Sequence, residues 1–113
     1  MNRIVLVGRL TKDPEIKVFE DSSKVLTRIV LAVDRPYKTA TGEKHVDFIT
    51  VVLRGKKAEI VSEYLTKGSL ISVTGRLQSR SYENEAGQKK YVSEVIADEF
   101  QFMSSKKTKE EIG

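Results

Sequence analysis

Apolar and polar positions alternate with a period of two through most of the first half of the chain, as in strands with one buried face. In residues 3–10 one face carries Ile4, Leu6, Gly8 and Leu10, and the other carries Arg3, Val5, Val7 and Arg9. The first set is expected in a core. "VLTRIVLAV" at 25–33 reads as a second strand and "DFITVVLR" at 47–54 as a third. In the third, Asp47, Ile49, Val51 and Leu53 form the expected core side, and Phe48, Thr50, Val52 and Arg54 form the other. Turn signals separate the runs. At Asp13-Pro14 the proline pre-sets φ and removes a donor, and "EDSS" at 20–23 supplies another turn. "DRPYKTATGEKHV" at 34–46 has a proline and a glycine but no apolar period, so it is expected to be a long loop able to bind something.

Between 56 and 67 the spacing changes to Ala58, Ile60, Val61, Tyr64 and Leu65, the stripe of an amphipathic helix, and Gly68 fits its C-terminus. "SLISVTGRLQSR" and "YVSEVIADEFQFM" predict two further strands around a hairpin tip at Asn84 to Gln88, where Gly87 supplies a permissive backbone. Tyr64 joins the helix stripe, and Phe100 and Phe102 share a strand parity with Val92 and Ile96, so these three rings are expected to pack. Three strands, a helix and two strands predict an all-β chain. The expected fold is a five-stranded antiparallel OB-fold barrel, with one helix between strands 3 and 4 and an extended hairpin between strands 4 and 5. Such barrels commonly hold oligonucleotides on a strand face and its loops, although a fold does not fix a function. Residues 1–103 are expected to form the single domain, and 104–113, "SSKKTKEEIG", a short charged disordered tail.

Charge narrows the partner. Lys plus Arg exceed Asp plus Glu by 20 to 16, giving a formal charge of +4, which favours an anionic ligand. The chain has no cysteine and a single histidine, His45, which is expected to be solvated in the 34–46 loop. One histidine cannot by itself build a zinc centre or a histidine-based triad. Asp13, Asp34, Asp47 and Asp98 lack metal-ligand spacing, and "RGKKAE" at 54–59 lacks the glycine pattern of a phosphate loop. No catalytic residues, metal or cofactor are therefore expected. "MNRIVLVGRL" is interrupted by Arg3 and Arg9, unlike the apolar region of a signal peptide, and no stretch approaches a membrane span. A cytoplasmic, nucleoid-associated protein is expected.

Rings and cations carry the chemistry. Tyr37, Phe48 and Tyr82 each sit beside polar or basic residues, as do platforms on which unstacked bases lie at about 1–3 kcal/mol per base. Arg3, Arg9, Arg28, Arg54, Arg76 and Arg80 lie within strands, where a guanidinium is aimed and can pair with phosphate or stack on a base. Arg35, Lys38, Lys56, Lys57, Lys89 and Lys90 complete a candidate backbone track. A second reading stands beside this one: outward rings are ordinary on any surface, and the basic face would then only solubilise a protein whose work is assembly. Val5 and Val7 support self-association in either case.

"NRIVLVGRLTKDPEIK", "DFITVVLRGKKAEIVSEYLTKGSLISVTGRLQSRSYENEAGQKKYVSEV" and their separation resemble the bacterial single-stranded DNA-binding proteins of the homotetrameric type. The resemblance covers residues 1 to about 103. It implies sequence-independent binding and protection of single-stranded DNA in replication, recombination, repair or DNA uptake. It places base stacking on Tyr37 in "DRPYKT", Phe48 in "VDFITVV" and Tyr82 in "SRSYEN". Arg54 stands where that family usually has Phe or Trp before "GK", a place where a guanidinium can stack. A homotetramer, a dimer of dimers with the first strand and its Val5 and Val7 between subunits, is also implied. The family usually continues into a linker and an acidic tip ending in Pro-Phe, whereas this sequence ends in "KEEIG"; partners recruited through such a tip are not expected. The resemblance also admits short paralogues used in DNA uptake or carried by mobile elements, and the dimeric primosomal relative with the same fold.

Overall fold

The computed structural model describes residues 1–19 and 24–103; the turn expected at 20–23 and the tail expected at 104–113 lie outside them. The elements are β1 (Ile4–Leu10), β2 (Glu15–Phe19), β3 (Lys24–Lys38), β4 (Lys44–Arg54), α1 (Lys56–Tyr64), β5 (Leu70–Glu83) and β6 (Lys89–Phe102). One sheet runs β1-β5-β6-β4-β3-β2, and pairing of β1 with β3 closes it.

β2 is an element that the alternation did not announce. Both β1 and β2 run antiparallel to β3, with Leu10 opposite Leu31 and Glu15 opposite Arg28. They are successive halves of one barrel strand, broken where residues 11–14 lie against only residues 29–30. Pro14 has no N–H to give the ladder. Thr11 fills the break by donating both its N–H and its hydroxyl to the Val30 carbonyl, each at 3.0 Å. The barrel therefore remains five-stranded, as expected. Its pairing is mixed rather than wholly antiparallel, because Val51 and Val52 of β4 lie parallel to Val95 and Ile96 of β6. The chain between β4 and β6, through α1 and β5, supplies the crossover that a parallel pair requires.

The core holds Leu10, Ile29, Leu31, Val51, Leu53, Ile71, Val73 and Val95, with Ile4, Leu6 and Ile49 packed against it, so the inward parities expected for β1 and β4 are correct. Ala58, Val61 and Leu65 bring α1 onto the same cluster. The helix ends at Tyr64, earlier than Gly68: Leu65 is extended and its N–H bonds to the Val61 carbonyl at 3.0 Å. Gly68, at φ 91°, serves the following turn instead and donates to the Leu10 carbonyl at 2.8 Å. Tyr64 lies to the side of the buried stripe and is exposed.

Two irregularities aim the long arms. Between β3 and β4, Asp34 faces Val46 and Lys38 faces Lys44, so residues 35–37 oppose residue 45 alone. The expected loop at 34–46 is thus mostly strand, a hairpin arm turning at 39–43, and His45 is half-buried within β4 rather than solvated in a loop. Between β5 and β6, Thr74 faces Glu99 but Gly75 faces Ala97, which inserts Asp98. That bulge reverses parity along β6. Phe100 therefore packs against the core, out of phase with Ile96, and Phe102 is exposed with its ring edge-on to Phe100 at 5.7 Å. A side chain at Gly75 would overlap the Ile96 carbonyl, so glycine is needed there. Beyond the bulge β5 and β6 continue as the expected hairpin, whose tip Asn84 braces by accepting from the Ala86 and Gln88 N–H groups at 3.0 and 2.9 Å.

Candidate nucleic-acid interface

Strand register decides which side chains meet. Phe48 lies opposite Ala32, Val52 opposite Arg28 and Ile96, Arg76 opposite Ile96, Gln78 opposite Glu94, Arg80 opposite Val92, and Tyr82 opposite Lys90. Side chains alternate along each strand, so these residues share the outward face of β3, β4, β6 and β5. Thr50 and Arg54 follow Phe48 on the same side of β4. The floor of this face is tight: Val52 and Ile96 are buried although they point away from the core.

Phe48 is 69% exposed, and Tyr82 and Tyr37 are also open to solvent. Phe48 rises from the middle of β4, Tyr82 from the flap formed by the far ends of β5 and β6, and Tyr37 from the bulged arm of β3. Arg54, exposed at the end of β4, borders an open groove of about 620 Å³ with Lys24, Leu26, Lys56 and Glu59. Lys57 is half-buried on α1.

Many expected cations are already engaged within the chain, which their sequence positions do not reveal. Arg28 Nε and Arg80 Nε donate to the two carboxylate oxygens of Glu94 at 3.3 and 3.0 Å. Arg76 pairs with Asp98 at 3.2 Å, and Arg9 donates to the Gly68 carbonyl at 2.8 Å. Arg35 forks onto Asp47, its Nη2 donating to Oδ1 at 2.9 Å and its Nε lying 3.2 Å from both Oδ1 and Oδ2. The hydrogen bond from Arg35 is the main reason the Asp47 carboxyl lies below its usual range. For Glu94 burial pushes the carboxyl up, but the hydrogen bonds from Arg80 and Arg28 and their charges outweigh it, and the net displacement is downward.

Arg3 is exposed just before β1, and Lys38 and Lys90 are exposed on their arms. Lys89 departs from the expected track. It lies opposite Glu83 while Lys90 lies opposite Tyr82, so Lys89 is on the reverse side of the flap. There its Nζ sits 5.9 Å from the ring centroid of Tyr91, and Tyr91 is an exposed ring that the sequence reading left unassigned. Glu94 lies outside the expected site, although a lone acid in the apolar phase of Val92 and Ile96 is a signal, since a buried carboxylate requires a partner. Val5 and Val7 are exposed on the outer side of β1, opposite Thr74 and Ser72.

Among the described residues no group of three or more His, Asp or Glu is placed to hold a metal ion, and no helix is long and apolar enough to cross a membrane. Open rings, aimed guanidiniums and a braced flap offer stacking and anion contacts, the parts of a single-strand groove.

Residues 1–103 match the single-strand binding protein family. The chain belongs to that family. Members of this family are binding proteins. Single-stranded DNA-binding protein 1 of Staphylococcus aureus (strain MSSA476) is 49% identical over 108 residues, 96% of this chain and 69% of the relative. The Single-stranded DNA-binding protein of Clostridium tetani is 50% identical over 103 residues, 91% of this chain and 70% of the relative. Single-stranded DNA-binding protein 1 of Lactococcus lactis is 49% identical over 108 residues, 96% of this chain and 71% of the relative.

Proposed function

We propose that this chain binds single-stranded DNA without regard to sequence and protects it during replication, recombination, repair or uptake, and that binding rather than catalysis is its work. The observation that carries the reading is Phe48, a large ring 69% exposed at the centre of a strand face that also presents Tyr82, Arg28, Arg54, Arg76, Arg80 and Lys90. Every base has a π-face, so rings of this kind bind without selecting sequence. The relatives named above, all called single-stranded DNA-binding proteins, support the same ligand.

Tyr37, Phe48 and Tyr82 stack bases, Arg54 adds a guanidinium platform, and the strand arginines with Arg35, Lys38, Lys56, Lys57 and Lys90 follow the phosphates. Residues 1–103 are the unit that binds. The exposed pair Val5 and Val7 on β1 favours self-association, which hides apolar surface between symmetry mates; we assign a dimer of dimers acting in the cytoplasm on the nucleoid.

The test is competition between a labelled thymidine oligonucleotide and unlabelled single-stranded or duplex DNA, at matched salt because affinity varies steeply with it. Single strands of unrelated sequence should compete alike and duplex poorly. Equal competition by duplex would reduce the basic face to a general polyanion surface, and no binding would leave assembly with another protein as the function.

A further inference from the structure

Glu94 is the one charged residue among the buried residues described, at 5% exposure. It lies on the strand face assigned above to the DNA, with Gln78 opposite it on β5. Its two oxygens are divided between two other strands: Oε2 accepts from Arg28 Nε of β3 at 3.3 Å and Oε1 accepts from Arg80 Nε of β5 at 3.0 Å. Each arginine is held through Nε, which leaves its Nη nitrogens for other acceptors. The arginine side chains keep 40% and 43% of their surface open, against 6% for the glutamate. One buried anion thus fixes the bases of two half-open cations on neighbouring parts of the same face.

We propose that Glu94 is a positioning residue and internal counter-ion for strand binding: it aims Arg28 and Arg80 at the DNA backbone while withholding about one of their two charges. The proposal rests on the strand-binding reading. Two arginines without Glu94 would offer two charges to the phosphates and displace two condensed cations. With the carboxylate between them they offer one. The consequence is a strand held by aimed contacts yet released more readily at low salt, with a shallower dependence on ionic strength. Arg76 and Arg35 are paired too, but with carboxylates about half exposed, where water and salt already screen the pairing. Glu94 differs in being screened by neither.

Glu94→Gln tests this, because it keeps the side chain's shape and one acceptor while removing the charge. The wild type and variant are titrated with a thymidine oligonucleotide across a salt series. The variant should bind more tightly at low salt, and the slope of log K against log salt should steepen by about 0.7, the share of one additional phosphate contact on a single strand. Glu94→Asp, which restores the charge, should return the slope to the wild-type value.

The charge-balanced double variant Arg28→Gln with Glu94→Gln leaves no carboxylate unpaired and keeps the test decisive even if Glu94→Gln alone fails to fold. Its slope should equal the wild-type slope. If Glu94 plays no part in binding, the double variant loses one contact and its slope falls by about 0.7, which overturns the proposal. So does an unchanged slope in a folded Glu94→Gln variant. A wild type that binds no single strand would show itself before any variant is made, and would overturn the functional reading and this one together.

Discussion

Replacing Phe48 by Ala separates a ring that serves the ligand from a ring that serves the fold. At 69% exposure about a third of the residue is covered. Full burial of a phenylalanine side chain contributes about 1.5–3 kcal/mol, so truncation should cost about 0.5–1 kcal/mol of stability, a few degrees in melting temperature for a domain of this size. Leu53, at 0% exposure in the core, provides the contrast: Leu53→Ala should cost about 2–5 kcal/mol. Binding should respond in the opposite proportion. Losing one stacked base costs about 1–3 kcal/mol, which raises Kd by about 5- to 150-fold at about 1.4 kcal/mol per decade. The assay is fluorescence anisotropy of a labelled oligonucleotide short enough to engage one subunit, paired with thermal denaturation followed by circular dichroism. A melting temperature lowered as far as in Leu53→Ala would make Phe48 a packing residue, and a Kd unchanged within twofold would remove it from the site.

Other substitutions probe the cation, the assembly and the acids. Arg54→Phe should lower the salt slope by about 0.7 if the guanidinium meets phosphate, with affinity at high salt held or raised because a ring stacks in its place; no change in slope or affinity would take Arg54 out of the groove. Val7→Asp should shift the species seen by light scattering toward smaller assemblies and weaken binding of long strands more than short ones, since linked sites lose their mutual gain; a wild-type monomer at micromolar concentration would refute the tetramer. Glu94 and Asp47 both titrate below their usual range, so the stability they contribute is full above the unfolded carboxylate values of about 4 and is lost as pH falls through their lower folded values. Melting temperature should therefore hold from neutral pH to about 5 and fall below about 4, and a flat profile to lower pH would show that the pairs add nothing to the fold.

The fold was largely legible because period-two alternation states which side chains face a core. The inward sets Ile4, Leu6 and Leu10, and Ile49, Val51 and Leu53, follow from that rule alone. What escaped was where the alternation breaks. Phe100 packs as expected, but the extra residue at Asp98 puts it there out of phase with Ile96 and leaves Phe102 exposed, and no local pattern in "IADEFQF" signals a bulge whose cause is Gly75 on the neighbouring strand. β2 escaped because Pro14 marks a turn, while its pairing comes from β3. Polar composition concealed the arm at 34–46, since strands that stand away from a core need not alternate. Phe48 could be picked as an open ring because its parity set it against the core side, and Tyr37 and Tyr82 because they sit among polar and basic residues. Partners of cations lie outside such reasoning: Arg28 is 66 positions from Glu94, and only the closed barrel brings β3, β5 and β6 together around that carboxylate. Lys89 and Lys90 differ by a single step of the pleat, which is enough to put them on opposite sides of the flap.

If bases lie on the open rings of the β3, β4, β6 and β5 face, intrinsic tyrosine fluorescence reports it without a label. Titration with poly-thymidine should quench the emission to saturation, because Tyr37 and Tyr82 would stack on bases. The double variant Tyr37→Phe with Tyr82→Phe should bind with similar affinity, its rings intact, while losing most of that quenching. Tight binding of the wild type with unchanged tyrosine emission, or quenching that survives undiminished in the double variant, would contradict the account by placing the strand elsewhere on the barrel.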